Sequence, residues 1–251
     1  MLQAYDDFDF NTAALIRDAL PPVIPRTMRP SIKVYRYAID TPCTYKFSIH
    51  AMDDIWSGRA VGIGESLPVD PVHIALHLGM RPSHPGYCIE ARARKEGYEK
   101  SGEDGLPFPA QMIEAGGPWA ELPDWLYSDF DMNALKDALS ETLPVSIFYF
   151  FWYCVVVIGT SGGNADLSTP PLQEVDVVVS QNAGAYFCEF ELWSSLANGL
   201  LKHGSRDAIF LHVPKDRSAA AIDTGANVAI EVIKAAVAQM ESRRGRHSAG
   251  A

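Results

Sequence analysis

Three residues draw attention for what their side chains can do and where they sit. Cys188 lies at the end of Ser180-Gln181-Asn182-Ala183-Gly184-Ala185-Tyr186-Phe187-Cys188, where an apolar run gives way to small polar residues and a helical stretch begins. A thiol near a helix N-terminus gains thiolate character from the helix dipole. The open ends of α/β strands also collect functional groups. His212 closes the apolar run AIFLHV just before Pro214, a place suited to a general base. Glu90 ends Tyr87-Cys88-Ile89-Glu90 and supplies an acid able to orient an imidazole. Each has a plainer reading when taken alone: an inert buried thiol, a hydrogen-bonded structural histidine and a solvated strand glutamate. Together they supply the nucleophile, base and acid of a covalent hydrolase.

These residues need elements to hold them. Asn11-Thr12 caps a helix over AALIRDAL, and Pro21-Pro22 stops it. Ile32 to Ile39 alternates like a strand. Val72 to Leu78 reads as a buried strand closed by a turn at Gly79, and Met132 to Thr142 as a helix. Val175 to Val179 is a second buried strand. Tyr186, Phe190, Trp193, Ala197 and Leu201 then trace one helical stripe. Ala208 to Val213 is a strand, and Val228 to Met240 an amphipathic helix. Strands alternating with helices predict an α/β sheet covered on both faces. Residues 1–240 read as one domain, with 241–251 as a flexible tail.

Composition narrows the function classes. With 251 residues, 47% hydrophobic, the chain can build one sizeable core. A net charge of −10 argues against unspecific nucleic-acid binding. The basic run Arg243-Arg244-Gly245-Arg246-His247 falls in the tail. Cys43, Cys88, Cys154 and Cys188 are widely spread and show no metal-ligand spacing, so no metal is expected. The acidic N-terminus lacks a signal-peptide pattern. Free thiols in a cytoplasmic protein follow. The apolar run Ile147 to Ile158 is shorter than the ~20 residues of a spanning helix. A buried strand or a docking patch for a membrane or partner are its two readings from composition.

In combination the motifs resemble the pyroglutamyl-peptidase I (pyrrolidone-carboxylate peptidase) family of cysteine peptidases. SQNAGAYFC with EFELWSSLA is similar to the family's cysteine motif, GSRDAIFLHVP to its histidine motif, and HLGMRPSHPGYCIEARARKEGY to its glutamate segment. Gly97-Tyr98 is similar to the eukaryotic branch. The resemblance runs from about Asn11 to Met240. It implies a three-layer α/β/α sandwich with a twisted mixed sheet of the phosphorylase/hydrolase type. It also implies removal of N-terminal pyroglutamate from peptides, with Cys188 as nucleophile, His212 as base and acid, Glu90 as orienting acid, and no cofactor. Phe8, Phe10, Asn11 and Met80 fall at substrate-side positions.

Two departures qualify the resemblance. The family begins with a strand and a Gly-Phe-x-Pro-Phe turn that packs aromatics on the lactam ring. Only ten residues precede Asn11, with Phe8 and Phe10 surviving as possible aromatics of that turn, so the chain reads as N-terminally truncated, its first strand missing. The segment 145–173 also interrupts the family pattern. Val145-Ser146 can be encoded by a splice-donor sequence and Gln173 by an acceptor, so the segment reads as translated intron, with a genuine hydrophobic insertion as the competing reading. A catalytically impaired descendant acting as a soluble binding protein, or an incomplete gene product, stands as the alternative function.

Overall fold

The structure, a computed structural model, describes residues 10–37, 41–59, 72–141, 153–158 and 175–249. In chain order the elements are α1 (Thr12–Ala19), β1 (Val23–Ile24), β2 (Ile32–Arg36), α2 (Tyr45–Trp56), β3 (Ile74–Met80), β4 (Tyr87–Glu90), β5 (Arg92–Arg94), β6 (Trp125–Tyr127), α3 (Met132–Glu141), β7 (Tyr153–Ile158), β8 (Val177–Ser180), α4 (Phe187–His203), β9 (Ala208–Val213) and α5 (Ala219–Ala249).

Seven strands make one mixed sheet in the order β1-β2-β7-β3-β9-β4-β8. Strands β2, β7, β3 and β9 run parallel. Strand β4 reverses against β9, and β8 runs parallel to β4. Side chains alternate between faces with period two. On β9, Ile209, Leu211 and Val213 enter the core shared with α1, α3 and α5. Ala208 and Phe210 enter the other core, built with α2 and α4. The β5–β6 ribbon joins this second layer through Ala93 and Leu126. A mixed sheet between two helical layers is thus the architecture, as the alternating pattern predicts.

Local chemistry explains most boundaries. Asn11 caps α1 by accepting from the Ala13 amide at 3.0 Å. Thr44 caps α2 through the Phe47 amide at 3.2 Å. Gly204, at φ 67°, ends α4 in the left-handed conformation that glycine adopts without a Cβ penalty.

Three expectations differ from the structure. Strand β3 does not stop at Gly79 but continues through it to Met80. An added Cβ at Gly79 would lie 2.7 Å from Phe210 Cζ and 3.3 Å from Cys188 Sγ, so the glycine serves close packing and not a turn. The residues read as a tail continue α5 to Ala249, anchored where Arg26 pairs with Glu241 at 2.9 Å and Arg243 with Asp207. The centre of the sheet is also closed. Strand β7, from inside the segment read as translated intron, pairs Val155 with Val34 of β2 and with Ile74 of β3. Burial on both faces demands a partner along each edge of a central parallel strand, and β7 supplies it. Only residues 153–158 of that segment are among the described residues.

Candidate active site

Glu90, His212 and Cys188 come together at one end of the sheet, on the α4 face. Tyr87 and Ile89 of β4 enter the α1/α5 core, so alternation turns Cys88 and Glu90 to the opposite face. On β9, His212 shares the face of Phe210, with ring centroids 4.7 Å apart. Glu90 registers with Phe210 and Cys88 with His212. Glu90 and His212 are therefore diagonal neighbours across the β4–β9 pair, and His212 Nδ1 lies 2.7 Å from Glu90 Oε1. Both side chains are buried, Glu90 fully.

Cys188 comes from the other layer. It is the second residue of α4, whose N-cap is Tyr186. The first-turn amides of a helix lack intrahelical acceptors and carry the positive end of its dipole. Gly79 leaves room for the sulfur against the sheet. Cys188 hydrogen-bonds His212 and is partly exposed, so a substrate can reach it. Burial pulls the His212 pKa down, but charge attraction and the hydrogen bond from Cys188, followed by the hydrogen bond and charge of Glu90, outweigh it and raise the pKa to about 9. The ordinary imidazole value near ~6.5 therefore does not hold here, and the ring holds its second proton more tightly than a free imidazole does.

The loop before the nucleophile is held by a residue that sequence reading missed. Glu189 is fully buried. Its Oε2 accepts from the Ala185 amide at 2.7 Å, and its Oε1 from the Arg94 amide at 3.0 Å and Arg94 Nε at 2.9 Å. Gly184 and Ala185 both adopt positive φ, 104° and 52°. A non-glycine residue in that region is costly and persists only when its surroundings determine it; Glu189 does so by tying the Ala185 amide. A glutamate in the first turn of a helix, reaching back to an amide before it, resembles a capping box, and that was the signal available in the sequence.

The substrate-side residues fare differently. Phe8 lies outside the described residues. The Phe10 ring lies under the Arg217 guanidinium at 4.6 Å. Asn11 spends its side-chain oxygen on the α1 cap. Met80 is buried at the end of β3. Among the described residues no cluster of His, Cys, Asp or Glu can hold a metal ion, and no helix is long and apolar enough to cross a membrane.

No family model and no curated protein matches the sequence. Solved structures do. The pyrrolidone carboxyl peptidase of Thermococcus litoralis superposes with a TM-score of 0.63 over 93% of this chain and 89% of its own, at 13% identity. The pyrrolidone carboxyl peptidase of Pyrococcus furiosus gives 0.53 over 94% and 92%, at 14% identity. The chain has the pyrrolidone carboxyl peptidase fold. At such identity the likeness is one of architecture, and the chemistry must be argued from the side chains of this pyrrolidone carboxyl peptidase-like chain itself.

Proposed function

We propose that the chain is a cysteine peptidase that removes N-terminal pyroglutamate from peptides. The observation that carries this is the Cys188–His212–Glu90 constellation, with Cys188 at a helix N-terminus and His212 Nδ1 2.7 Å from Glu90. Cys188 Sγ attacks the pyroglutamyl carbonyl carbon, and the first-turn amides of α4 receive the developing oxyanion. The C–N bond breaks as His212 passes its proton to the leaving amine, leaving a thioester. His212, now neutral, takes a proton from water. The hydroxide attacks the thioester, and pyroglutamate leaves as the thiolate reforms beside the imidazolium. Glu90 fixes the tautomer and orientation of His212 throughout. Free thiols at Cys43, Cys88 and Cys188 suit a reducing, cytoplasmic setting.

A second reading is a catalytically impaired descendant that binds without cleaving. It is favoured by Asn11 and Phe10 being engaged in a cap and a cation–π contact. One experiment separates the two: hydrolysis of a pyroglutamyl-coumarin amide by the purified chain. Turnover is expected, with Cys188→Ser slower by about a thousandfold or more. No turnover in a folded, monodisperse wild type would favour the binding reading, and appreciable turnover by Cys188→Ser would remove the mechanism.

A further inference from the structure

Glu90 is a fully buried carboxylate whose contacts all fall on one oxygen. Its Oε1 receives both His212 Nδ1 at 2.7 Å and Arg81 Nη1 at 3.3 Å, while Oε2 is buried without a partner. Burying a carboxylate is costly unless another charge compensates it. His212 cannot do so through a whole catalytic cycle: it becomes neutral when it hands its proton to the leaving amine. Arg81 keeps its charge at every step. It is also well seated. Its backbone amide donates to the Val213 carbonyl at 2.9 Å, one residue beyond His212, and its side chain hydrogen-bonds Cys88, which registers opposite His212. The Arg81 side chain is about one-third exposed, so it is not sealed from water as Glu90 is.

We infer that Arg81 is a positioning residue of the triad, holding the Glu90 carboxylate in place against His212 in the resting enzyme and through the half of the cycle in which His212 is neutral. This rests on the peptidase reading, and the experiment therefore includes a measurement that needs no turnover. Arg81→Met removes the charge and keeps much of the stem; Arg81→Lys keeps the charge. The full chain is assayed for pyroglutamyl-coumarin hydrolysis and, separately, for the rate at which iodoacetamide alkylates Cys188 at pH 7.

Arg81→Met should lower kcat by about tenfold or more with KM little changed, and should slow Cys188 alkylation. Arg81→Lys should restore most of both. In a Glu90→Gln background the Arg81→Met effect should shrink to within about twofold, because no buried charge is left to balance. The inference is overturned if Arg81→Met matches wild type in both measurements, if its penalty is the same with and without Glu90, or if Arg81→Lys is as damaged as Arg81→Met. If Arg81→Met does not fold, Arg81→Gln replaces it in the same cycle. If no variant turns over pyroglutamyl substrate, wild type included, the peptidase reading fails, and the alkylation cycle still decides whether Arg81 acts through Glu90.

Discussion

His212 sets the pH behaviour of the site. Its folded pKa, about 9, lies above the unfolded value near ~6.5, because Cys188 and Glu90 together outweigh burial. A group raised in this way binds its proton more tightly when folded. Its stabilising contribution is complete below about pH 6.5 and is lost as pH rises through about 9. The melting temperature of wild type minus that of His212→Gln should therefore fall between those limits. A flat difference would mean that His212 is not charged against Cys188 and Glu90. The Cys43 and Cys88 thiols, both pushed up chiefly by desolvation, cancel in this comparison because both proteins keep them. The same two thiols predict selectivity. Iodoacetamide should modify Cys188 well ahead of Cys43 and Cys88, read by peptide mass mapping of the folded protein, and equal labelling would count against a poised nucleophile. Cys188, His212 and Glu90, which the structure brings together, stood out in the sequence because Glu90 and His212 lie near the ends of apolar strands and Cys188 at the start of a helix. Glu189 offered only its capping-box spacing, and Arg94 and Arg81 no signal, because a charged residue in a sequence reads as solvated until the fold shows it buried or bridging.

Among the elements, β7 changes the argument most. Strands β2 and β3 do not pair with each other, and residues 153–158 stand between them with parallel pairings on both sides. The composition of Ile147 to Ile158 admits a strand, and part of the run forms one. Its place in the sheet was not legible, because a short apolar run carries no information on which strands flank it. Deleting 145–173 alone should therefore destabilise the protein. Each backbone group left buried without a partner costs ~1–3 kcal/mol, so a few suffice against a typical total of ~5–15 kcal/mol. Deletion combined with an added upstream strand bearing a Gly-Phe-x-Pro-Phe turn should restore a cooperative melt. A simple deletion that melts like wild type would show that β7 is dispensable. We propose on this basis that residues 153–158 belong to the folded domain, whatever the origin of the segment that carries them. Helix α2 escaped sequence reading altogether. The Thr44 side chain that starts it was the local signal, and its burying residues, from Tyr45 to Trp56, become a face only against α4.

At the scale of the molecule, the alternation of strands and helices was enough to predict the sandwich, since two-sided burial follows from strands apolar along their length. Strand order was not readable, because it depends on pairings between distant segments. The antiparallel meeting of β4 with β9 is the case in point. It joins residues 122 apart in sequence, Glu90 and His212, and the third group arrives on a helix from the opposite layer. Closing so long a loop is entropically slow, and contacts of this range form late when a chain folds. Under the proposed peptidase function, cleavage would thus report the last stage of assembly. In refolding from denaturant, far-ultraviolet circular dichroism should recover first as the helices and local pairings form, and pyroglutamyl-coumarin cleavage should recover later with its own slower rate constant. Coincident recovery of the two signals would place β4 and β9 in the folding nucleus instead.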